Sequence, residues 1–228
     1  MSERTLSLIL TRSNAHQKAS VPVRNAVIAG WTGRDRAAVE NHIEELTALG
    51  VKRPTSVPTF YRISAGRVTT SSSIEVLGET SSGEVEFVLL QYERQLWLGV
   101  GSDHTDRTVE TFDVGVSKQM CDKPAASVWW SFDEVSPHWD DLILRSHVGR
   151  ERTLYQEGTV HAMLEPAELI GRFADSAVLP ENTLMFCGTL PALGGVRPSQ
   201  QFAFELEDPV LGRKICHEYR IDTLPAAQ

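Results

Sequence analysis

The chain reads as an α+β protein with a small N-terminal α/β portion and a strand-rich body. Two observations carry this. A single long amphipathic helix lies near the N-terminus, and from about residue 54 onward short β-rich runs bounded by Gly and Ser recur with only brief helical patterns between them.

The elements follow in order. Thr5–Thr11 alternates Leu6, Leu8 and Leu10 against Ser7, Ile9 and Thr11, the period-two pattern of a strand. A polar stretch, residues 12–20, comes next. Residues 34–49 then place Val39, Ile43 and Leu46 at helical spacing, with Thr32 and Asp35 as a capping box and Gly50 as the C-terminal cap. Strands are predicted at residues 67–70, 73–77, 85–90 and 95–100. Residues 108–145 are mixed in character and rich in Trp. Strands are predicted again at 153–160, 182–187, 202–206 and 214–221, and a short helix at 165–173 opening on Pro166. The division expected is residues 1–53 as an arm carrying the long helix and residues 54–228 as the catalytic β-rich domain.

At 228 residues the chain can bury a sizeable core, and its 41% hydrophobic and 23% charged fractions are those of an ordinary globular protein. A net charge of -8 argues against nucleic acid or an anionic membrane as partner. Cys121, Cys187 and Cys216 show no metal-ligand spacing and suit reduced thiols in a cytoplasmic protein. No run approaches the ~18 apolar residues of a membrane span, and the N-terminus lacks a secretory core.

Chemistry concentrates at two places. Glu84-Val85-Glu86 opens an apolar strand, and carboxylates two apart on a strand share a face. Such a pair entering a core repels unless a cation lies between, and a hard divalent ion suits oxygen donors. An exposed edge strand with two solvated glutamates fits the same pattern. Seventeen residues later, the apolar run 96–100 ends in Gly101-Ser102-Asp103-His104-Thr105-Asp106-Arg107. Polar residues presented just beyond a buried strand are typical of a site, although an acidic turn using Gly and Asp for local bonds has the same composition. His138-Trp139-Asp140-Asp141 reads as structural, Trp129 and Trp130 as core or interface aromatics, and His147, His161 and His217 as outside any constellation; His104, beside Asp103, is a minor candidate ligand.

Together these segments resemble the fumarylacetoacetate hydrolase family over roughly residues 24–219. Glu84-Val85-Glu86 is similar to its Glu-x-Glu strand and Gly99–Arg107 to its Gly/Asp turn with an arginine four places on. Lys118-Gln119-Met120 is similar to its Lys-Ser-Phe stretch, Gln156-Glu157-Gly158-Thr159 to its Gln/Gly/Thr segment, and Gly188-Thr189-Leu190-Pro191 to its Gly-Thr-Pro loop. Upstream, His42-Ile43-Glu44-Glu45 resembles its lid helix with a His-x-x-Glu pair, ahead of Pro58-Thr59-Phe60.

The resemblance implies a β-roll with a lid helix, and Mg²⁺ or Mn²⁺ held by Glu84, Glu86 and Asp103. It implies His42 as general base oriented by Glu45, and Lys118, or alternatively Lys123, as the lysine that steadies negative charge. Arg107, Gln156, Gly188 and Thr189 fall to substrate binding. A small keto-acid substrate, no nucleic-acid or membrane partner, and a homodimer are implied as well. The reaction expected is hydrolysis of a carbon–carbon bond in an acylpyruvate-like compound. A lyase of the same fold and a non-catalytic binding protein are the alternatives. Three departures stand out: the interval from Glu86 to Asp103 is short, Thr108 replaces an aspartate, and Arg62-Ile63-Ser64 replaces a Lys-Pro.

Overall fold

The computed structural model describes residues 4–13, 15–48 and 53–225. The alternating runs pair into two principal sheets, built from elements that succeed one another as follows. β1 (Arg4–Arg12) and β2 (Ala15–Val23) form a hairpin, and β3 (Asn25–Gly30) leads to α1 (Arg36–Ala48). β4 (Thr59–Ile63), β5 (Val68–Thr69), β6 (Ser73–Leu77) and β7 (Ser81–Ser82) follow. β8 (Val85–Tyr92) and β9 (Gln95–Ser102) make a second hairpin, succeeded by β10 (Thr105–Asp106), α2 (Arg107–Glu110), α3 (Val114–Met120) and β11 (Lys123–Pro124). Then come β12 (Val128–Ser131), α4 (Phe132–Val135), β13 (Ile143–Val148), β14 (Thr153–Thr159) and α5 (Pro166–Ala174). Last are β15 (Thr183–Thr189), β16 (Gln201–Asp208) and β17 (Arg213–Leu224).

The larger sheet has the order β2-β1-β12-β9-β8-β15-β3-β4, and the smaller β14-β13-β16-β17-β6. Side chains on alternate faces of the large sheet feed two cores. Val27, Phe87, Leu89, Leu98, Val100 and Met185 meet Leu144, Phe202, Phe204 and Leu206 of the small sheet. On the other face, Ile28, Val88, Leu90 and Leu184 join Leu6 and Leu8 of β1 and Ile63 of β4. Strands near both ends of the sheet thus share one core, which requires the sheet to curl. Covered on both faces, β8 is buried from Val85 through Gln91, the continuous burial of a central strand.

The α+β expectation holds, and most predicted strands and α5 lie where the patterns put them. Four details differ. The polar stretch contributes β2, an edge strand whose outer half can carry His16, Gln17 and Lys18 to water while Val21 and Val23 are buried. The mixed, Trp-rich segment contains β13, which pairs with both β14 and β16. Asp35 alone caps α1, its Oδ1 accepting from the N–H groups of Ala37 (2.9 Å) and Ala38 (3.1 Å), while Thr32 is buried beneath the helix entrance. Gly50 falls outside the described residues. Finally, a division at residue 53 runs across the large sheet, since β1 pairs with β12 and β3 with β15 from far downstream. Trp97, Trp129, Trp130 and Trp139 are buried in the chain's own core. Among the described residues, no helix is long and apolar enough to cross a membrane.

Two glycines in β9 let large side chains cross the strand. A Cβ on Gly99 would lie 2.7 Å from the Trp129 ring, and one on Gly101 2.6 Å from Phe186 and 2.9 Å from the Pro124 carbonyl. Gly99→Ala is therefore an overpacking substitution and should cost about 1–3 kcal/mol, read from the urea midpoint. An unchanged midpoint would mean that Trp129 is free to move.

Candidate metal centre

The β8–β9 hairpin places the acidic residues. Its turn has only two residues, Glu93 and Arg94, both in the left-handed region at φ 52° and 59°. This fits the short type I′ connection whose twist matches the flanking strands. Glu181 fastens the turn by accepting from both turn amides (2.6 and 3.2 Å). The register that follows sets Val85 opposite Ser102 and Glu86 opposite Gly101, and the Asp103 amide donates to the Glu84 carbonyl at 3.0 Å. Glu84, Glu86 and Asp103 thereby converge at the open end of the hairpin, each offering a carboxylate oxygen within 4.8 Å of the others. The short Glu86-to-Asp103 interval is the direct consequence of this tight turn.

Burial decides the electrostatics. Glu86 is 2% exposed and Asp103 fully buried, whereas Glu84 stands at the solvent edge. Burial, with the nearby Asp103 charge, holds the Glu86 carboxyl well above the usual carboxylate range against the opposing pull of Lys118 and the Gly188 N–H. Burial would raise Asp103 too, but Lys118 and Lys123 outweigh it and bring its carboxyl down to about 2. Lys118 donates to Asp103 Oδ2, and Lys123 reaches Oδ1 at 3.0 Å while also donating to the His104 carbonyl. Lys118 has a raised pKa: burial works against its charge, and Asp103, Glu84, Glu110 and Glu86 together more than compensate. Lys123, also fully buried, is shifted down by burial despite Asp103. Arg107 steadies Glu84: its Nη2 lies 3.1 Å from Glu84 Oε1, an ion pair without an aligned hydrogen bond. Its Nε donates to Ser82 (2.7 Å) and its Nη1 to Glu110 (2.8 Å).

The cradle behind the carboxylates is made by β14 and β15. A register shift between Phe186 and Thr189, with Gly188 at φ +104°, turns the Gly188 N–H onto Glu86 Oε2 at 2.8 Å. A side chain there is impossible, because a Cβ would fall 1.7 Å from Thr32 Oγ1. Gln156, 1% exposed, fastens the cradle with all of its amide valences. Its Oε1 accepts from the Val85 N–H (2.9 Å) and Ser146 Oγ (2.8 Å), and its Nε2 donates to Thr189 Oγ1 (2.8 Å) and the Leu190 carbonyl (2.6 Å). Thr189 Oγ1 in turn donates to the Val85 carbonyl at 2.7 Å. The donor set facing outward is all oxygen, with two buried like charges close together, which fits a hard divalent cation such as Mg²⁺ or Mn²⁺.

The structure thus brings together Glu84, Glu86, Asp103, Lys118, Arg107, Gln156, Gly188 and Thr189. Two expected roles change. Gln156 has no hydrogen-bonding capacity left for a substrate and instead locks the Glu-x-Glu strand to the Gly-Thr loop. Lys118 and Lys123 are not alternatives: both grip Asp103, but Lys123 is entirely enclosed and only Lys118 stands at the edge of the open space, 5.9 Å from the centre of the Tyr61 ring. His42 and Glu45 lie on α1; Glu45 is exposed, and the side chain of His42 falls outside what is described.

Neighbours of the triad take structural roles. His104 is buried with Nδ1 on Tyr219 Oη (2.8 Å) and Nε2 on Ser81 Oγ (2.9 Å), and burial, then Lys123 and Arg107, push it down to about 3. Both nitrogens are engaged, so it is no metal ligand. Asp106 caps α2 through the N–H groups of Thr108 and Val109, both at 3.0 Å. Arg62 turns to Asn25 (2.6 Å) rather than standing in for the missing lysine.

Residues 29–219 match the family model DUF2848, described as a protein of unknown function. Among curated proteins, no sequence matches the chain. The fold is that of the fumarylacetoacetate hydrolase family. A candidate fumarylacetoacetate isomerase/hydrolase from Oleispira antarctica superposes with a TM-score of 0.67 at 15% identity, covering 95% of this chain and 99% of that one. A fumarylacetoacetate hydrolase from Exiguobacterium antarcticum gives 0.64 at 14%, covering 93% and 80%. A 2-keto-3-deoxy-D-arabinonate dehydratase complexed with magnesium and 2,5-dioxopentanoate gives 0.63 at 15%, covering 94% and 79%.

Two outcomes are expected of the cradle. Gln156→Leu should weaken Mn²⁺ binding about 10–100-fold while the chain stays folded, measured by titration of free Mn²⁺ with paramagnetic resonance; unchanged affinity would show that the clasp does not set the ligand positions. The second concerns pH in the presence of EDTA. Asp103, with its lowered carboxyl, contributes stability that is present above about pH 3.9 and lost as pH falls through about 2. Glu86, raised on folding, has the opposite sign and costs stability as pH rises above about 4.3. Glu86→Gln should therefore gain stability over the unsubstituted protein as pH rises from 4.3, and a difference flat with pH would contradict the buried-charge picture.

Proposed function

The chain belongs to the DUF2848 family, and we propose that it is a divalent-metal-dependent enzyme that hydrolyses a carbon–carbon bond in a small acylpyruvate-like keto-acid. The observation that carries this reading is the convergence of Glu84, Glu86 and Asp103 within 4.8 Å, at the rim of the core, with Lys118 beside them. A bound Mg²⁺ or Mn²⁺ supplies Lewis-acid polarisation of a chelated carbonyl.

The chain's own groups do the rest. Glu86 and Asp103 are held by Gly188 and by the two lysines, so the ligand oxygens need no reorganisation when an ion binds. Arg107 orients Glu84 through their ion pair. Lys118 offers its ammonium to negative charge developing on the substrate, and its raised pKa keeps that charge in place through neutral pH. Gly188 and Thr189 border the space where a substrate carboxylate would lie, although the Thr189 hydroxyl already donates to Val85. On α1, His42 is the base that takes a proton from water, with Glu45 one turn on to orient the imidazole.

A second reading, a lyase of the same fold, is favoured by the magnesium-bound dehydratase among the structural neighbours. It needs no attacking water, and the metal site with Lys118 suffices for it. The two separate by product and by His42. A screen of acylpyruvates and 2-keto acids with Mg²⁺ or Mn²⁺ should show turnover that EDTA abolishes. His42→Ala should eliminate hydrolysis, whereas a lyase would only slow. Lys118→Met should lower kcat by about 10²–10³-fold in either case. Turnover that survives EDTA, or a Lys118→Met enzyme of full activity, would overturn the proposal.

A further inference from the structure

Glu110 adds a fourth carboxylate to this site, one that the metal does not require. It sits one turn beyond Arg107 on α2, accepts from Arg107 Nη1 at 2.8 Å, and its side chain remains 27% exposed. Its charge acts on Lys118 alongside those of Asp103, Glu84 and Glu86. Arg107, Lys118 and Lys123 oppose these four carboxylates, and each already has a carboxylate partner. Arg107 is divided among Ser82, Glu110 and Glu84, while both lysines hold Asp103. With a divalent ion added, the cluster carries a single surplus positive charge, which one substrate carboxylate neutralises. A second carboxylate would meet the Glu110 charge with no surplus positive charge left in the cluster to offset it.

The remaining wall before Lys118 is aromatic. The Tyr61 ring lies 5.9 Å from Lys118 Nζ, and its hydroxyl is 3.4 Å from Trp31 Nε1. Gly30 and Gly115 leave room for that ring: a Cβ on Gly30 would come within 2.9 Å of it, and one on Gly115 within 3.7 Å. Trp31 itself is held at φ +61°, a conformation costly for a bulky residue and concentrated at functional sites. It immediately precedes Thr32, which packs on the Gly188 that holds Glu86.

Resting on the keto-acid reading above, we propose that the substrate is a monocarboxylate: its keto-acid head meets the ion, its distal arm is uncharged and lies along Tyr61 and Trp31, and Glu110 rejects a second carboxylate. The test uses two unreactive probes with one head and one chain length, 2-oxopentanoate and 2-oxoglutarate, titrated calorimetrically into the Mn²⁺-loaded protein. The neutral-armed probe should bind at least about tenfold more tightly, about 1.4 kcal/mol. Glu110→Gln should close most of that gap and Glu110→Asp should preserve it. A 2-oxoglutarate affinity equal or superior in the unsubstituted protein, or a gap untouched by Glu110→Gln, would overturn the proposal and leave the keto-acid reading standing. So would loss of the preference in Glu110→Asp, which would assign it to shape rather than charge. If neither probe binds the Mn²⁺-loaded protein, the keto-acid reading fails and this proposal fails with it.

Discussion

Two carboxylates at the rim of a hydrophobic core, Glu86 and Asp103, impose the constraint around which the rest of the molecule is arranged. Neither is tolerable there alone, since an isolated buried carboxylate would protonate or draw in a partner. Asp103 is met by two lysines and Glu86 by a backbone amide, and the difference shows in their opposite displacements from the ordinary carboxylate range. One carboxylate is permanently paired and the other is left demanding positive charge. That residual demand, together with Glu84 at the water's edge, is what suits this ion-pair cluster to a cation.

Rigidity comes from the connections rather than from the ligands themselves. A two-residue turn fixes the register of β8 against β9, the bulge at Gly188 aims an N–H at Glu86, and Gln156 ties β8 to β13 and to the Thr189-Leu190 end of β15 with four hydrogen bonds. Tyr219, from the last strand, closes the floor through Ser102 and His104. Elements whose bonded residues lie 117 apart in sequence therefore determine a few oxygen positions. Such preorganisation is what differential stabilisation of a developing charge needs. The walls in front of the site, Tyr61, Trp31 and Glu110, belong to separate segments of the chain.

Much of this was legible in the sequence because it follows from short-range pattern. The Glu-x-Glu spacing, the apolar run of β8 and the polar turn after β9 each state their geometry locally. Resemblance to a known family then joined Lys118, Gln156 and Gly188 to them. What was not legible is long-range. Nothing local marks Glu93-Arg94 as a left-handed turn, since both residues lack the Asn or Gly that usually announces one. The roles of Lys123 and Gln156 depend on which strands pair, not on their neighbours in sequence. β2 was obscured because an edge strand with one wet face reads as polar, and β13 because Arg145 and His147 interrupt its apolar residues. Lys123 had no local signal, because Asp122 beside it in sequence offers an obvious local partner, and only the fold gives that carboxylate to Arg67 and Lys123 to Asp103.

The most direct measurement is calorimetric Mn²⁺ binding to EDTA-stripped protein, followed by a crystal structure of the loaded form. One ion per chain, bound by Glu84, Glu86 and Asp103 through oxygen, with binding lost in Glu86→Ala while the chain remains folded, is the predicted result. A folded protein that takes up no ion at millimolar Mn²⁺, or an ion bound away from these three carboxylates, would contradict it.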